Sequence, residues 1–251
     1  MVVRGSGIRL RRAGHRRGYR LAAARIEKAN GGAVNFRGVV SGEAWTDLVK
    51  RGQRRQYPRG AVLLRQGETA NVVIALAEGI VKVVQTVPSG EGVPLALRGA
   101  GEVLGEMGAL LDRPRSASVT AVTACTGYVV LAHAFRGYLA RHSLEGAVYR
   151  LAVERMQENE HLHAALTRLP TRARVARVVS HLAVEVGVPD DHGAVCVQLG
   201  MDREELAVMA AMSRSSVMAA LRDLHATGVL TLGRGRLVVN DAAALARLFE
   251  E

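Results

Sequence analysis

The stretch of this sequence richest in chemistry is Gly105-Glu106-Met107-Gly108-Ala109-Leu110-Leu111-Asp112-Arg113-Pro114-Arg115-Ser116-Ala117. A glycine-flanked carboxylate opens a short apolar segment, and Pro-Arg-Ser closes it before a strand. Arg115 beside Ser116 and other small residues makes an anion cradle. The guanidinium presents a rigid fork of donors, and small neighbours leave backbone N–H groups free. Such a cradle suits a single phosphate, and Glu106 would accept a hydroxyl from an attached sugar. The competing reading is a structural Glu106–Arg115 ion pair. Residue types alone do not separate the two.

A second cluster lies near the C-terminus. Asp202 to Met209 and Arg214 to His225 read as two short helices, with Ala210 to Ser213 between them. Asp202 with Glu205 three residues on is a capping box, and Ser213 caps the second helix. This is helix-turn-helix spacing. Val229 to Leu232, a Gly233-Arg234-Gly235-Arg236 turn and Leu237 to Val239 then form a hairpin with the geometry of a wing. In the second helix Val217, Leu221 and Leu224 point inward. Arg214, Ser215, Met218 and Arg222 stay outside, where an N-terminal turn enters a DNA major groove. Arg214 would make a two-point contact to guanine O6 and N7, worth about 1–3 kcal/mol of discrimination. A phosphate contact is the alternative for it. Arg203, Ser213, Arg234 and Arg236 are placed as phosphate contacts. A winged helix that serves only protein contacts is the competing reading of the whole unit.

Other chemistries are poorly served. Cys125 and Cys196 are the two cysteines, too few for a zinc knuckle or an iron–sulfur cluster. His161 and His163 sit two apart on a helix, so they do not share a face and are expected to meet solvent. There is no HExxH, GxSxG, GxGxxG or GxxxxGK[ST]. An enzyme is not expected, and no metal or obligatory cofactor. No apolar run reaches 18 residues, so a membrane span is not expected and a cytoplasmic location is the default. The net charge is +11, but residues 1–60 hold 15 Arg and Lys against 3 Asp and Glu, whereas residues 61–251 hold 19 against 20. The basic character belongs to the front, so it says little about the folded core.

These groups need elements to hold them. Residues 1–35, with Arg11-Arg12, Arg16-Arg17 and Arg20, read as a basic extension without apolar period. From 55 to 131 short apolar runs alternate with turns: Ala61–Leu64, Val72–Leu76, Gly79–Val84, Leu95–Leu97, Ser118–Val122 and Gly127–Leu131. Pro88-Ser89-Gly90-Glu91-Gly92 is a hairpin connection. This pattern describes a β-sandwich or jelly roll. Ala134–Ala140 is a short helix, and residues 143–168 form a long one. Leu144, Val148, Leu151, Arg155, Leu162, Leu166 and Leu169 recur along most of one stripe, which a symmetry mate is expected to cover. Packing against the same chain is the alternative. Arg172–Val186 is a further helix and Ala194–Leu199 a short strand.

Three blocks in order resemble the CRP/FNR family of bacterial transcription regulators over residues 57–241. They are Tyr57-Pro58-Arg59-Gly60 to Gln66-Gly67-Glu68 with Gly79-Ile80-Val81-Lys82-Val83; the 105–117 segment, which looks like the phosphate-binding cassette of cyclic-nucleotide-binding domains; and Glu204-Glu205-Leu206-Ala207 to Ser213-Arg214-Ser215-Ser216-Val217 with Leu221, Leu224 and Gly228-Val229-Leu230. The resemblance implies an α+β chain. A jelly-roll sensor (36–140) would lead to a dimerisation helix (141–169) and a winged helix-turn-helix (170–251). It implies Glu106 on a ribose 2′-hydroxyl, Arg115 and Ser116 on a cyclic phosphate, and Gly105 for close backbone approach. Asn159 and Glu160 would then meet the base. The family's cAMP-binding branch has hydroxylic residues at those two places, so cAMP itself is weakened as the effector and another cyclic nucleotide stays open. Ser215 and Ala219 also replace family base-reading residues, implying a different operator. Ala211 stands where the family has glycine and is expected to fit through a negative φ. The implied partners are double-stranded DNA, a second copy and RNA polymerase, with no membrane. Two alternatives stay open: a constitutive DNA binder with an empty pocket, and a cyclic-nucleotide module that leaves DNA alone.

Overall fold

The structure is a computed structural model that describes residues 35–250. The basic extension expected over residues 1–35 lies outside the described residues but for Asn35. Asn35 caps α1 (Phe36–Val39), and its side chain accepts the Gly38 N–H at 2.9 Å. Ser41 caps α2 (Gly42–Lys50) in the same way, through Ala44. Phe36, Trp45 and Leu48 from these two helices are buried against Phe135 and Tyr138.

Eight strands follow: β1 (Gln53–Tyr57), β2 (Val62–Leu64), β3 (Val72–Glu78), β4 (Val81–Thr86), β5 (Gly92–Arg98), β6 (Val103–Leu104), β7 (Ser118–Ala121) and β8 (Cys125–Leu131). They form two antiparallel four-stranded sheets, ordered β1-β8-β3-β6 and β2-β7-β4-β5. Leu64, Val81, Val119 and Ala121 of one sheet share a core cluster with Ile74, Leu76 and Leu104 of the other. The β4–β5 hairpin closes through the expected turn, with Gly90 N–H bonded to Val87 O at 2.8 Å. α3 (Glu106–Leu111) bridges β6 and β7, and α4 (Ala132–Arg141) leaves β8.

The long helix is α5 (Glu145–Arg168). Part of its apolar stripe is covered by the chain itself. Val148 and Leu151 are buried with Phe36 and Phe135, and Leu144 packs against the same cluster. Leu166 is buried in the C-terminal core, with Leu162 packed against it. Periodicity identifies an apolar face but not its cover, and part of the cover comes from α1, which no sequence period announced. The apolar residues of α5 left most open are Tyr149 and Met156, 71% and 54% exposed.

The C-terminal unit runs through α6 (Thr171–Val186), β9 (Val188–Pro189), β10 (Val195–Gln198), α7 (Arg203–Met209), α8 (Arg214–Ala226), β11 (Leu230–Gly233), β12 (Arg236–Val239) and α9 (Ala242–Glu250). Its sheet is ordered β11-β12-β10-β9. Both halves of the Asp202/Glu205 capping box are present, and Ser213 accepts the Ser216 N–H at 3.2 Å. The α7–α8 turn differs from expectation. Ala211 has φ +51°, the left-handed region, not a negative φ. Met212 N–H bonds Ala207 O and Ala211 N–H bonds Val208 O, each at 3.0 Å. That is a Schellman motif, which demands a left-handed residue at this position whatever its side chain.

The two halves of the molecule are packed together. Ile80, Leu97 and Val122 of the β domain join a core cluster with Leu182 and Leu206 of the C-terminal unit. Gly200, at φ +55°, lies so close to Val122 that a Cβ there would collide with it. Lys82 is paired with Glu205 and Arg98 with Glu185 across the same junction.

Candidate effector cavity and nucleic-acid face

A cavity of about 880 Å³ opens between the β domain and α5. Gly105, Glu106, Arg115, Ser116, Asn159 and Glu160 all line it, so residues more than 40 positions apart meet at one site. Gly105 starts α3 with φ +80°, and its carbonyl accepts Arg115 Nη1 at 2.9 Å. A Cβ at this position would run into the guanidinium and into Leu64. The second arm of the fork, Nη2, donates to Val72 O at 2.5 Å. Reciprocal backbone bonds of 2.9 Å, Arg115 N–H to Glu68 O and Gly67 N–H to Arg115 O, hold the segment carrying it.

Arg115 is 6% exposed. Among the described residues no carboxylate reaches it within ion-pair distance, and burial pulls its pKa below the usual arginine value, opposed by Glu68 and Glu106 further off. A buried cation facing a cavity without a bonded counter-charge is poised for an anion. Glu106 is bridged by Arg155 Nη1 at 3.6 Å, so the structural Glu106–Arg115 pair is not the arrangement present. Burial raises the Glu106 pKa, and the Arg155 charge opposes the rise. Ser116 is exposed at the rim, and Asn159 and Glu160 stand exposed on the α5 wall.

The C-terminal unit presents a groove of about 460 Å³ between α8 and the β11–β12 hairpin. Arg203, Arg214, Met218, Arg234 and Arg236 line it together. The Arg214 side chain is 62% exposed, its Nε 4.0 Å from Glu204. Ser215 and Arg222 are exposed on α8 outside the groove lining. Ser213 is exposed too, but its hydroxyl is engaged by the cap and lies 2.9 Å from the Ser215 and Ser216 hydroxyls. Val217, Leu221 and Leu224 are only 0%, 5% and 0% exposed, as the inward set requires.

Comparison with known proteins converges on the same two units. Residues 54–142 match the family described as Cyclic nucleotide-binding domain, and residues 173–248 match the Crp-like helix-turn-helix domain. The chain is 30% identical over 194 residues to the Cyclic AMP receptor protein of Thermus thermophilus, covering 77% of this chain and 86% of that one. This chain belongs to the CRP/FNR family of transcriptional regulators. A CRP-like cAMP-activated global transcriptional regulator of Mycobacterium tuberculosis is 27% identical over 213 residues, covering 84% of this chain and 94% of that one. The crystal structure of a CRP-family transcriptional regulator from Thermus thermophilus superposes with TM-score 0.60 at 25% identity, covering 78% and 97% of the two chains. FixK2 from Bradyrhizobium japonicum shares the fold, with TM-score 0.65 at 18% identity over 78% and 96%.

The structure of this CRP/FNR chain also brings in residues that sequence reasoning missed. Arg155 was legible only as a break in an apolar stripe. It bonds Glu102 at 2.5 Å as well as reaching Glu106. Glu102, 4% exposed, lies 3.9 Å from Arg98, which holds Glu185 on α6. A chain of alternating charges thus runs Glu106–Arg155–Glu102–Arg98–Glu185, from the cavity to the DNA-binding unit. Burial works against the Arg98 charge, but Glu185 and Glu102 outweigh it and hold its pKa above the usual value. Among the described residues no group of three His, Cys, Asp or Glu is arranged to hold a metal ion. Cys125 and Cys196 are both free thiols, and His161 and His163 are exposed, His163 on the cavity wall. No helix among the described residues is long and apolar enough to cross a membrane.

Proposed function

We propose that this chain is a homodimeric, sequence-specific DNA-binding regulator controlled by a cyclic nucleotide in the cavity beneath α5. The observation that carries the reading is Arg115: a buried guanidinium without a bonded carboxylate, set beside a left-handed glycine and facing an open cavity. The two four-stranded sheets are read as a jelly-roll sensor over residues 36–140, α5 as the core of a dimerisation segment (141–169), and residues 170–251 as a winged helix-turn-helix. Arg115 and Ser116 would take the cyclic phosphate, Glu106 a ribose hydroxyl, and Asn159 and Glu160 the base.

On DNA, Arg214 and Met218 would enter the major groove with Ser215 and Arg222 beside them. Arg203, Arg234 and Arg236 would meet phosphates, with Ser213 in its capping role at the same helix start. The exposed Tyr149 and Met156 face of α5 would meet its copy, setting two recognition helices about one DNA turn, roughly 34 Å, apart. RNA polymerase is a partner in this reading, and residues 1–35 have no assigned part. Selection from a pool of randomised duplexes tests it. Enriched sequences should contain two related half-sites centred about 10–10.5 base pairs apart. Arg214→Ala should weaken binding by about 1–3 kcal/mol and relax one position in each half-site. A pool that stays unenriched with purified chain, with and without cyclic nucleotide, would remove DNA reading from the proposal.

A further inference from the structure

Glu160 is an acidic residue on the cavity wall formed by α5. Its carboxylate lines the same cavity as Arg115 and Glu106, one residue from the Asn159 carboxamide. It is exposed on the α5 wall, and among the described residues no cation is ion-paired to it. An ionised carboxylate only accepts hydrogen bonds, whereas a carboxamide both donates and accepts. At positions 159 and 160 the α5 wall therefore offers two carboxylate oxygens that only accept beside one mixed group, with Arg155, His163 and Thr167 elsewhere along it.

Guanine and adenine differ in the edges they present to such a wall. The guanine pairing edge carries two adjacent donors, N1–H and the N2 amino group, beside the O6 acceptor. Two donors in a row match the two oxygens of a carboxylate, and the Asn159 amide would donate to O6. The adenine edge carries a single amino donor at N6 beside the N1 acceptor. A carboxylate set against it satisfies one bond and places its second oxygen against the N1 lone pair. A desolvated charge left half-paired in this way is costly.

Resting on the reading of this cavity as a cyclic-nucleotide site, we propose that Glu160, assisted by Asn159, makes the site selective for a guanine nucleotide, with 3′,5′-cyclic GMP preferred over cyclic AMP. Glu160 acts here as a specificity residue, while Arg115 and Glu106 hold the sugar-phosphate common to both ligands.

The test is calorimetric titration of the full chain with cyclic GMP, cyclic AMP and cyclic IMP, the last lacking the N2 amino donor. The wild-type protein should bind cyclic GMP at least about tenfold more tightly than cyclic AMP, with cyclic IMP between them. Glu160→Gln should lose most of that ratio, and Glu160→Thr should reverse it, without loss of overall folding because the residue is exposed. Arg115→Ala should remove binding of all three. Equal or tighter binding of cyclic AMP by the wild type would overturn the guanine assignment and leave the cavity a nucleotide site. A cyclic GMP preference unchanged in Glu160→Gln would overturn the role of Glu160. Binding of none of the three by the wild type would overturn the nucleotide reading, and this inference with it.

Discussion

A guanidinium that is 6% exposed and bonded to two backbone carbonyls has traded water for neutral dipoles, which stabilise it less than a carboxylate would. At the scale of single residues, this imbalance is what supports reading Arg115 as a binding group. Ala211 makes the opposite case: its strain has a purely local cause. The Schellman closure of α7 places it at φ +51°, where a Cβ crowds the following carbonyl oxygen at about 1–2 kcal/mol. Glycine would relieve that crowding but add freedom to the unfolded chain worth about 0.4–1 kcal/mol. Ala211→Gly should therefore stabilise the protein by about 0.5–1 kcal/mol in urea unfolding, with recognition-helix residues unaltered. A loss of similar size would mean that the turn does not hold the left-handed conformation in solution.

At the scale of elements, α5 shows how far a pattern can be read. Its apolar stripe was legible from spacing, yet Val148, Leu151 and Leu166 turned out to be covered within the chain. The apolar face of α5 left open, the one proposed to meet a second copy, is marked by Tyr149 and Met156, one heptad apart. Tyr149→Glu should weaken dimer formation by about tenfold or more, the scale of a central aromatic contact, while leaving the circular dichroism of the chain unchanged. Sedimentation of the variant as a dimer at the wild-type concentration dependence would move the interface elsewhere. The same limit governs the strands. β3, β4 and β8 are apolar runs bounded by turn residues and were legible as such. β1 is Gln-Arg-Arg-Gln-Tyr at a sheet edge, with four of its five residues exposed, so no alternation marks it. α1 and α2 were missed because they are short and adjoin a basic stretch. Of the cavity, Glu106 and Arg115 were readable as one local motif. Asn159 and Glu160 needed a family resemblance, because spacing along a helix does not say what it faces. Arg155 was opaque for a related reason: its partner Glu102 lies 53 residues away and belongs to no motif with it.

The whole molecule is governed by the junction between its halves, where a shared apolar core surrounds buried charge. His181 on α6 is 9% exposed there, with Arg177 one turn away on its own helix and Arg98 facing it from β5. Burial, then the Arg98 and Arg177 charges, hold its pKa down from 6.5 to about 4. The unfolded chain therefore binds a proton at His181 between pH 6.5 and 4 that the folded chain does not. Stability from the neutral imidazole is fully present above pH 6.5 and is lost as pH falls toward 4, for about 3 kcal/mol in all. Glu106 and Glu158, whose carboxyls burial holds above the usual range, act in the opposite sense, so the raw acid profile mixes several groups. The difference between wild type and His181→Gln isolates the histidine. Urea unfolding at intervals from pH 7.5 to 4 should show the wild type losing about 3 kcal/mol more than the variant over this range, with parallel profiles above pH 7. Parallel profiles throughout would mean that His181 is solvated, and so that the β domain and the DNA-binding unit are not held together in solution as they are packed here. Because Arg98 both faces His181 and belongs to the charge chain from Glu106, cyclic nucleotide bound in the cavity should also change this acid step where the junction responds to it. An acid profile of the wild type indifferent to saturating nucleotide would confine the effector's influence to the β domain and α5.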